Sequence, residues 1–177
     1  MKVLIADDHA VVRRGVRQIL EESALGLAVD EAGSARETLQ AVGDQAYDIV
    51  LLDIHFPDGS GLDLLRQIRA RQPQTRVLLF SMYPEEQYAR RALRLGAAGY
   101  LMKDSASAEL LSAIGKVAAG GKHITPSLAE RLADEIGAEA ERPLHESLSE
   151  REFQIMTRLA AGKPVGEIAA ELSLSPK

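Results

Sequence analysis

The chain has 177 residues, 46% of them hydrophobic and 27% charged, with a formal net charge of −5 at pH 7. These are values for a globular protein long enough for one domain plus a small second one, and the acidic balance argues against a broad basic face gripping nucleic acid. Cysteine is absent, which excludes disulfides, thiolate metal sites and cysteine nucleophiles. Trp is absent too and aromatics make up only 4%, so the core must be mostly Leu, Val, Ile and Ala.

In chain order, five short apolar runs alternate with five helical patterns. The opening "MKVLIADDHA" turns acidic after a four-residue apolar run, unlike a signal peptide, and that Val3–Ala6 run predicts a first strand. Val12, Val16, Ile19 and Leu20 follow at helical spacing. A weak strand over Leu27–Glu31 precedes a helix marked by Leu39 and Val42, which Ser34 and Glu37 open as a capping box. Ile49–Asp53 is the third strand, and Leu65 with Ile68 marks the helix after it. Val77–Ser81 is the fourth, followed by a helix carrying Tyr88, Ala92 and Leu95, with Pro84 in its first turn and Gly96 just past its end. Gly99–Lys103 is the fifth; Leu110, Leu111, Ile114, Val117 and Ala118 mark the next helix, which Gly120 ends. Gly15 and Gly115 lie inside helical patterns, each costing roughly 1 kcal/mol relative to Ala.

Such alternation implies an α/β fold, a parallel sheet covered by helices on both faces, and near-continuous apolar strands such as "IVLLD" suit a sheet buried on both sides. In these folds the functional crevice lies beyond the carboxyl ends of the strands. Asp7 and Asp8 follow the first strand, Asp53 ends the third, Ser81 the fourth and Lys103 the fifth. No run approaches the ~20 apolar residues of a membrane span.

The pattern changes after Gly120. Residues 121–147 read as a linker with one short helix, "TPSLAERLADEI", capped by Thr125 with Pro126 in its first turn and striped by Leu128, Leu132 and Ile136. The polar stretch "GAEAERPLHES", broken by Pro143, completes it. Residues 148–177 then give two helices, "LSEREFQIMTRLAAG", opened by Ser149 and Glu152 as a capping box, and "VGEIAAELSLS", joined around Gly162, Lys163 and Pro164. In this tail Arg151, Arg158, Lys163 and Lys177 balance Glu150, Glu152, Glu167 and Glu171, so the rest of the chain carries the whole −5.

Three carboxylates converging beside one lysine pose an electrostatic problem. Two like charges ~4 Å apart repel by about 4 kcal/mol at an effective dielectric of ~20. A hard divalent cation relieves this, and Mg²⁺ binds through one or two carboxylates plus waters and phosphate oxygens. An aspartate can act as a nucleophile toward phosphorus, and phosphoryl transfer depends mainly on in-line positioning and charge neutralisation. Asp53 then attacks, the cation and Lys103 neutralise phosphoryl oxygens, and the Ser81 hydroxyl donates to one of them. Singly, each residue has an ordinary reading: Asp7-Asp8 as a helix N-cap, Asp53 as a turn residue, Lys103 as a solvated cation, Ser81 as a cap, Tyr100 as core. His9 and His55 read as loop residues with no second histidine at metal-ligand spacing. It is their joint placement at the strand ends that argues for a site.

"VLIADDHAVVRRGV", "DIVLLDIHFPDGSGLDLL", "VLLFSMY" and "GAAGYLMK" resemble the receiver domain of two-component response regulators, from about Lys2 to Gly120. The shared spacing is an acid pair, an acceptor Asp, Pro four residues later, Gly eight later, a hydroxyl residue, and Lys three after an aromatic. The resemblance implies a flavodoxin-like fold with strand order 2-1-3-4-5 in residues 1–120 and phosphorylation of Asp53 by a sensor histidine kinase. It implies Mg²⁺ on Asp8, Asp53 and the main-chain carbonyl of His55, with Asp7 acting through water. Ser81 and Tyr100 would be a switch pair, Lys103 would complete the site, and catalysis would be limited to the chain's own phosphorylation and dephosphorylation. Phe56 and Asp58 depart from the family's frequent Met and Gly, and His55 and Tyr83 flank the pocket, where they could tune the lifetime of the phosphoryl group.

The tail "LSEREFQIMTRLAAGKPVGEIAAELSLSPK" is similar to the opening of a LuxR-type helix-turn-helix, as in the NarL/FixJ class of transcription regulators, with Val165-Gly166 in place of the usual Asn-Lys. The match stops at Lys177, where the recognition helix that reads bases would begin. Truncation is therefore expected: DNA is a partner of the complete protein and not of this chain, in which Lys177 is the remaining candidate contact. Two helices without a third would also leave Phe153, Met156, Ile168 and Leu172 poorly covered. The resemblance further implies a phosphorylation-dependent homodimer, a cytoplasmic location and no membrane contact. Three alternatives stand beside it. One is a receiver-only protein acting through protein contacts. Another is a haloacid-dehalogenase-like phosphatase, whose second Asp is replaced here by His55. The third is a nucleotide- or flavin-binding domain, which would need a Gly-rich loop where "ADDHA" stands.

Overall fold

A computed structural model describes residues 1–137 and 148–172. The chain divides into two compact units, Met1–Glu139 and Ala140–Lys177. The first contains β1 (Lys2–Ala6), α1 (Ala10–Glu21), β2 (Ala28–Ala32), α2 (Ala35–Asp44) and β3 (Ile49–Leu52). A small antiparallel hairpin follows, β4 (His55–Phe56) and β5 (Gly59–Ser60), which the sequence reading did not anticipate. Then come α3 (Gly61–Arg71), β6 (Arg76–Ser81), α4 (Glu85–Arg94), β7 (Gly99–Met102), α5 (Ser107–Ala118) and α6 (Pro126–Gly137).

Five strands form one parallel sheet in the order β2-β1-β3-β6-β7, the doubly wound flavodoxin-like order. Every residue of β3 is buried, as suits a central strand covered on both faces. Side chains alternate across the sheet. Val3, Ile5, Ile49, Leu51, Leu78, Phe80 and Leu101 share one core with Val16 and Leu20 of α1 and Leu110, Ile114 and Val117 of α5. Leu4, Val50, Leu52, Leu79 and Tyr100 alternate with these and are as deeply buried. At the sheet's edge, β2 is only partly buried, which is why "AVDEA" signals a strand weakly; it lies one residue beyond the predicted Leu27–Glu31.

Local chemistry sets the helix ends. The Ser34 hydroxyl accepts the Glu37 N–H at 3.1 Å, but the Glu37 carboxylate accepts the Gly33 N–H at 2.7 Å, one residue before the N-cap amide that a capping box would use. Pro84 is the N-cap of α4 rather than part of its first turn, and Gly96 and Gly120 take positive φ just past α4 and α5. The Thr125 hydroxyl accepts the Leu128 N–H at 3.1 Å, opening α6. α6 belongs to the first unit. Thr125 Oγ1 donates to Glu85 Oε1 at 2.6 Å and Arg131 pairs with Glu86 at 3.0 Å, both on α4.

The second unit contains α7 (Glu150–Ala160) and α8 (Val165–Glu171). Ser149 and Glu152 make the full capping box at the start of α7. Arg158 Nε donates to Glu171 Oε2 at 3.0 Å and Arg151 donates to the Leu172 carbonyl, tying the helices together. Phe153, Ile168 and Leu172 are buried and Met156 is partly so, contrary to the expectation that they would be poorly covered. Two short helices joined at Gly162 to Pro164 can turn their apolar sides toward each other, which the linear pattern does not show. Among the described residues no helix is long and apolar enough to cross a membrane.

Candidate functional site

In a parallel sheet all carboxyl ends point the same way, so residues just past different strands become neighbours. The ladder carries them: Asp53 N–H donates to Ala6 O at 2.9 Å, Asp7 N–H to Ala32 O at 3.1 Å, and Lys103 N–H to Ser81 O at 2.9 Å. Backbone pairing thus fixes these positions before any side chain interacts.

The side chains then converge. Lys103 Nζ lies 2.7 Å from Asp53 Oδ2 and 2.6 Å from Asp7 Oδ2, with the three side chains 3%, 4% and 2% exposed. The Asp53 contact is a hydrogen bond, whereas that to Asp7 is a charge contact poorly aligned for one. Asp8 Oδ1 stands 2.7 Å from His9 Nδ1, and His9 N–H donates to Asp7 Oδ1 at 2.8 Å. Ligand atoms of Asp7, Asp8, His9 and Asp53 all lie within 4.8 Å of one another. Two buried carboxylates share one buried ammonium, and the third acid, Asp8, faces His9 instead. Burial pushes the Asp53 carboxyl above the ordinary Asp value, while Lys103 pulls it back down.

This donor set fits a hard cation. The buried oxygens Asp7 Oδ2 and Asp8 Oδ1 lack an aligned hydrogen-bond donor, and the ligands are oxygen-rich and under-neutralised, as Mg²⁺ requires. His9, read from sequence as a plain loop residue, borders the cluster at its open side, with its side chain 61% exposed.

Ser81 and Tyr100 converge on one backbone segment. The buried Ser81 hydroxyl accepts the Tyr83 N–H at 3.3 Å, and Tyr100 OH donates to the Tyr83 carbonyl at 2.7 Å. Burial raises the Tyr100 phenol above its ordinary value, so it stays a protonated donor. The Tyr83 ring lies 5.7 Å from the His55 ring and 5.3 Å from the Tyr88 ring. His55 sits in β4, two residues beyond Asp53. Lys177 lies outside the described residues.

Three further residues support the site. Arg13 Nη1 donates to the Asp7 carbonyl at 2.6 Å while its Nε faces Glu31 at 3.3 Å, so a helix α1 side chain holds the loop bearing the acid pair. Asp58 accepts the N–H groups of Ala35 and Arg36 at 2.9 and 3.1 Å. Burial raises the Asp58 carboxyl, but these two bonds, with its own backbone amide and the Arg36 charge, outweigh it and hold it below the ordinary value. Gly61 leaves no room for a side chain, since a Cβ there would come 1.9 Å from the Asp53 carbonyl oxygen. Gly61 was legible as part of the spacing; Arg13 and Asp58 carried no local signal because their partners lie in other elements of the fold.

Comparison with known proteins agrees with this geometry. Residues 3–115 match the response regulator receiver domain family, and residues 146–177 match the bacterial regulatory proteins of the luxR family. The transcriptional activator protein ExaE of Pseudomonas putida is 39% identical, over 100% of this chain and 84% of its own. A two-component response regulator of the LuxR family from Aurantimonas sp. SI85-9A1 superposes with a TM-score of 0.69 at 35% identity, covering 77% of this chain and 98% of the other. RcsB from Salmonella enterica serovar Typhimurium, bound to promoter rprA with phosphomimetic BeF3-, gives a TM-score of 0.67 at 25% identity, covering 99% and 84%. With an acid cluster and a buried lysine at the strand ends of a flavodoxin-like sheet, followed by a LuxR-type helical region, the chain belongs to the NarL/FixJ class of two-component response regulators.

Proposed function

We propose that Asp53 takes a phosphoryl group from a sensor histidine kinase, and that this controls transcription through the LuxR-type region. The observation that carries the reading is the Asp53–Lys103–Asp7 cluster, in which a buried carboxylate is held 2.7 Å from a buried ammonium. Asp53 Oδ1 accepts the N–H of Ile54 at 2.7 Å, which fixes the carboxylate plane and leaves Oδ2 with Lys103. In phosphorylation a carboxylate oxygen of Asp53 forms the new bond to phosphorus while the donor's P–N bond breaks, giving an acyl phosphate. Lys103 neutralises charge on the transferring group and Ser81 donates its hydroxyl proton to it. That takes the Ser81 hydroxyl away from Tyr83 N–H, and the Tyr100 ring follows as the Tyr83 segment shifts. Asp8, Asp53 and the His55 carbonyl would hold Mg²⁺, with Asp7 through water. The ion's chemistry is to neutralise phosphoryl oxygens and relieve carboxylate repulsion.

The phosphorylated form favours a homodimer, and DNA is the target of the LuxR-type region; RcsB, similar over nearly the whole chain, is seen bound to a promoter. The cytoplasm is the compartment that suits such a kinase partner. Any catalysis is limited to the chain's own phosphorylation and dephosphorylation. The test is incubation with a small phosphodonor and Mg²⁺, read by intact mass. One phosphoryl group should be added to wild type and none to Asp53→Asn, and labelling that survives in the variant would refute the assignment.

A further inference from the structure

We infer that Asp58 is a positioning residue for the cation-binding loop, tethering the hairpin that carries His55 to the start of helix α2. The hairpin pairs His55 with Ser60 and Phe56 with Gly59, which places Pro57 and Asp58 at its tip. Its base is fixed where it leaves the acceptor: Gly61 N–H donates to Ile54 O at 2.8 Å, and Gly61 is pressed against the Asp53 carbonyl. At the tip the bonds to α2 come from Asp58, whose two carboxylate oxygens accept the first two amides of that helix. The contact is close enough that a Cβ on Gly59 would lie 2.9 Å from the Ala35 Cβ.

The start of α2 is otherwise satisfied by its own residues. Ser34 takes the Glu37 N–H and Glu37 takes the Gly33 N–H, leaving the amides of Ala35 and Arg36 for a partner 22 or 23 residues away. A carboxylate at a helix N-terminus also gains from the macrodipole, so this bidentate bond is stronger than a neutral cap. A two-stranded hairpin of two-residue strands is unstable by itself. With both ends held, the backbone at His55 has one position; with the tip released, it swings about the Gly61 end. Groups behind a metal ligand that fix its orientation change metal affinity without touching the ion.

This inference rests on the cation reading given above. Its test is calorimetric titration with MgCl₂ of wild type, Asp58→Ala and Asp58→Asn, with hydrogen exchange of the metal-free proteins. In Asp58→Ala, Mg²⁺ affinity should fall roughly tenfold, with faster exchange across residues 54–60. Asp58→Asn keeps only one of the two acceptor oxygens and loses the charge, so its affinity and its exchange over residues 54–60 should fall measurably between those of wild type and Asp58→Ala. Equal affinity in wild type and Asp58→Ala, with exchange quickened only at residues 35–37, would reduce Asp58 to a helix cap and overturn the inference alone. Wild type that takes up no Mg²⁺ would overturn the cation reading as well. If Asp58→Ala does not fold, Asp58→Asn decides: an unchanged affinity with unchanged exchange over 54–60 would overturn the proposal.

Discussion

The Lys103 ammonium meets the Asp53 carboxylate at 2.7 Å with both side chains almost wholly withdrawn from solvent. Breaking a buried pair by removing one partner costs ~3–5 kcal/mol, because the survivor's charge is left uncompensated. In Lys103→Met, Asp7 and Asp53 would both lose their shared cation. Chemical denaturation in EDTA should show a loss of that order, partly restored by MgCl₂, and the variant should label slowly with a phosphodonor.

Divalent cation should stabilise the native protein by mass action. At a concentration about 100 times Kd the gain is about 2.7 kcal/mol, seen as a rise of several degrees in melting temperature. Asp8→Asn should flatten this response, because a carboxylate oxygen of Asp8 belongs to the candidate cation cluster and Asp8 Oδ1 lacks an aligned donor. Melting in MgCl₂ against NaCl of equal ionic strength separates binding from screening.

Gly61→Ala should be costly out of proportion to one methyl group. The added Cβ would sit 1.9 Å from the Asp53 carbonyl oxygen, so the backbone at Asp53 must move. Overpacking of this kind costs about 1–3 kcal/mol, and labelling of Asp53 should slow along with it. A variant with wild-type melting and wild-type labelling would contradict the close approach.

Tyr100→Phe removes the donor to the Tyr83 carbonyl and should cost about 1 kcal/mol. Comparative melts with and without the phosphoryl group should also differ less than in wild type, since the Tyr83 segment would no longer be held by the ring.

Acid sensitivity should reside partly in His123. Its N–H and C=O pair with Ala98 and Tyr100 beside β7. Burial depresses its pKa, with Glu109 opposing. The folded state therefore binds its proton less readily than the unfolded chain does. The contribution to stability is complete above the ordinary His value of about 6.5 and is lost as pH falls through the depressed value. Unfolding of His123→Gln between pH 5 and 7 should show a shallower slope than wild type.

Much of the first unit was legible in advance. Five apolar runs became five parallel strands, each within about a residue of the reading, because a strand covered on both faces has to be continuously apolar, as β3 is. β2 was the weak case since an edge strand tolerates "DE". The hairpin His55–Ser60 escaped notice: two-residue strands give no periodicity to read.

Sequence by itself determined the identities and the order of the candidate site residues: Asp7, Asp8, Asp53, Ser81 and Lys103 are placed by chain position at strand ends, and a parallel sheet has to gather its carboxyl ends along one rim. Tertiary structure decided what no spacing encodes. It set which acids share the Lys103 ammonium, that Arg13 grips the Asp7 carbonyl, and that Asp58 crosses to the amides of α2. The reason is physical: strand-end placement follows from local periodicity and topology, whereas these bonds join residues 6 to 96 positions apart and depend on how the side chains pack once the chain is folded.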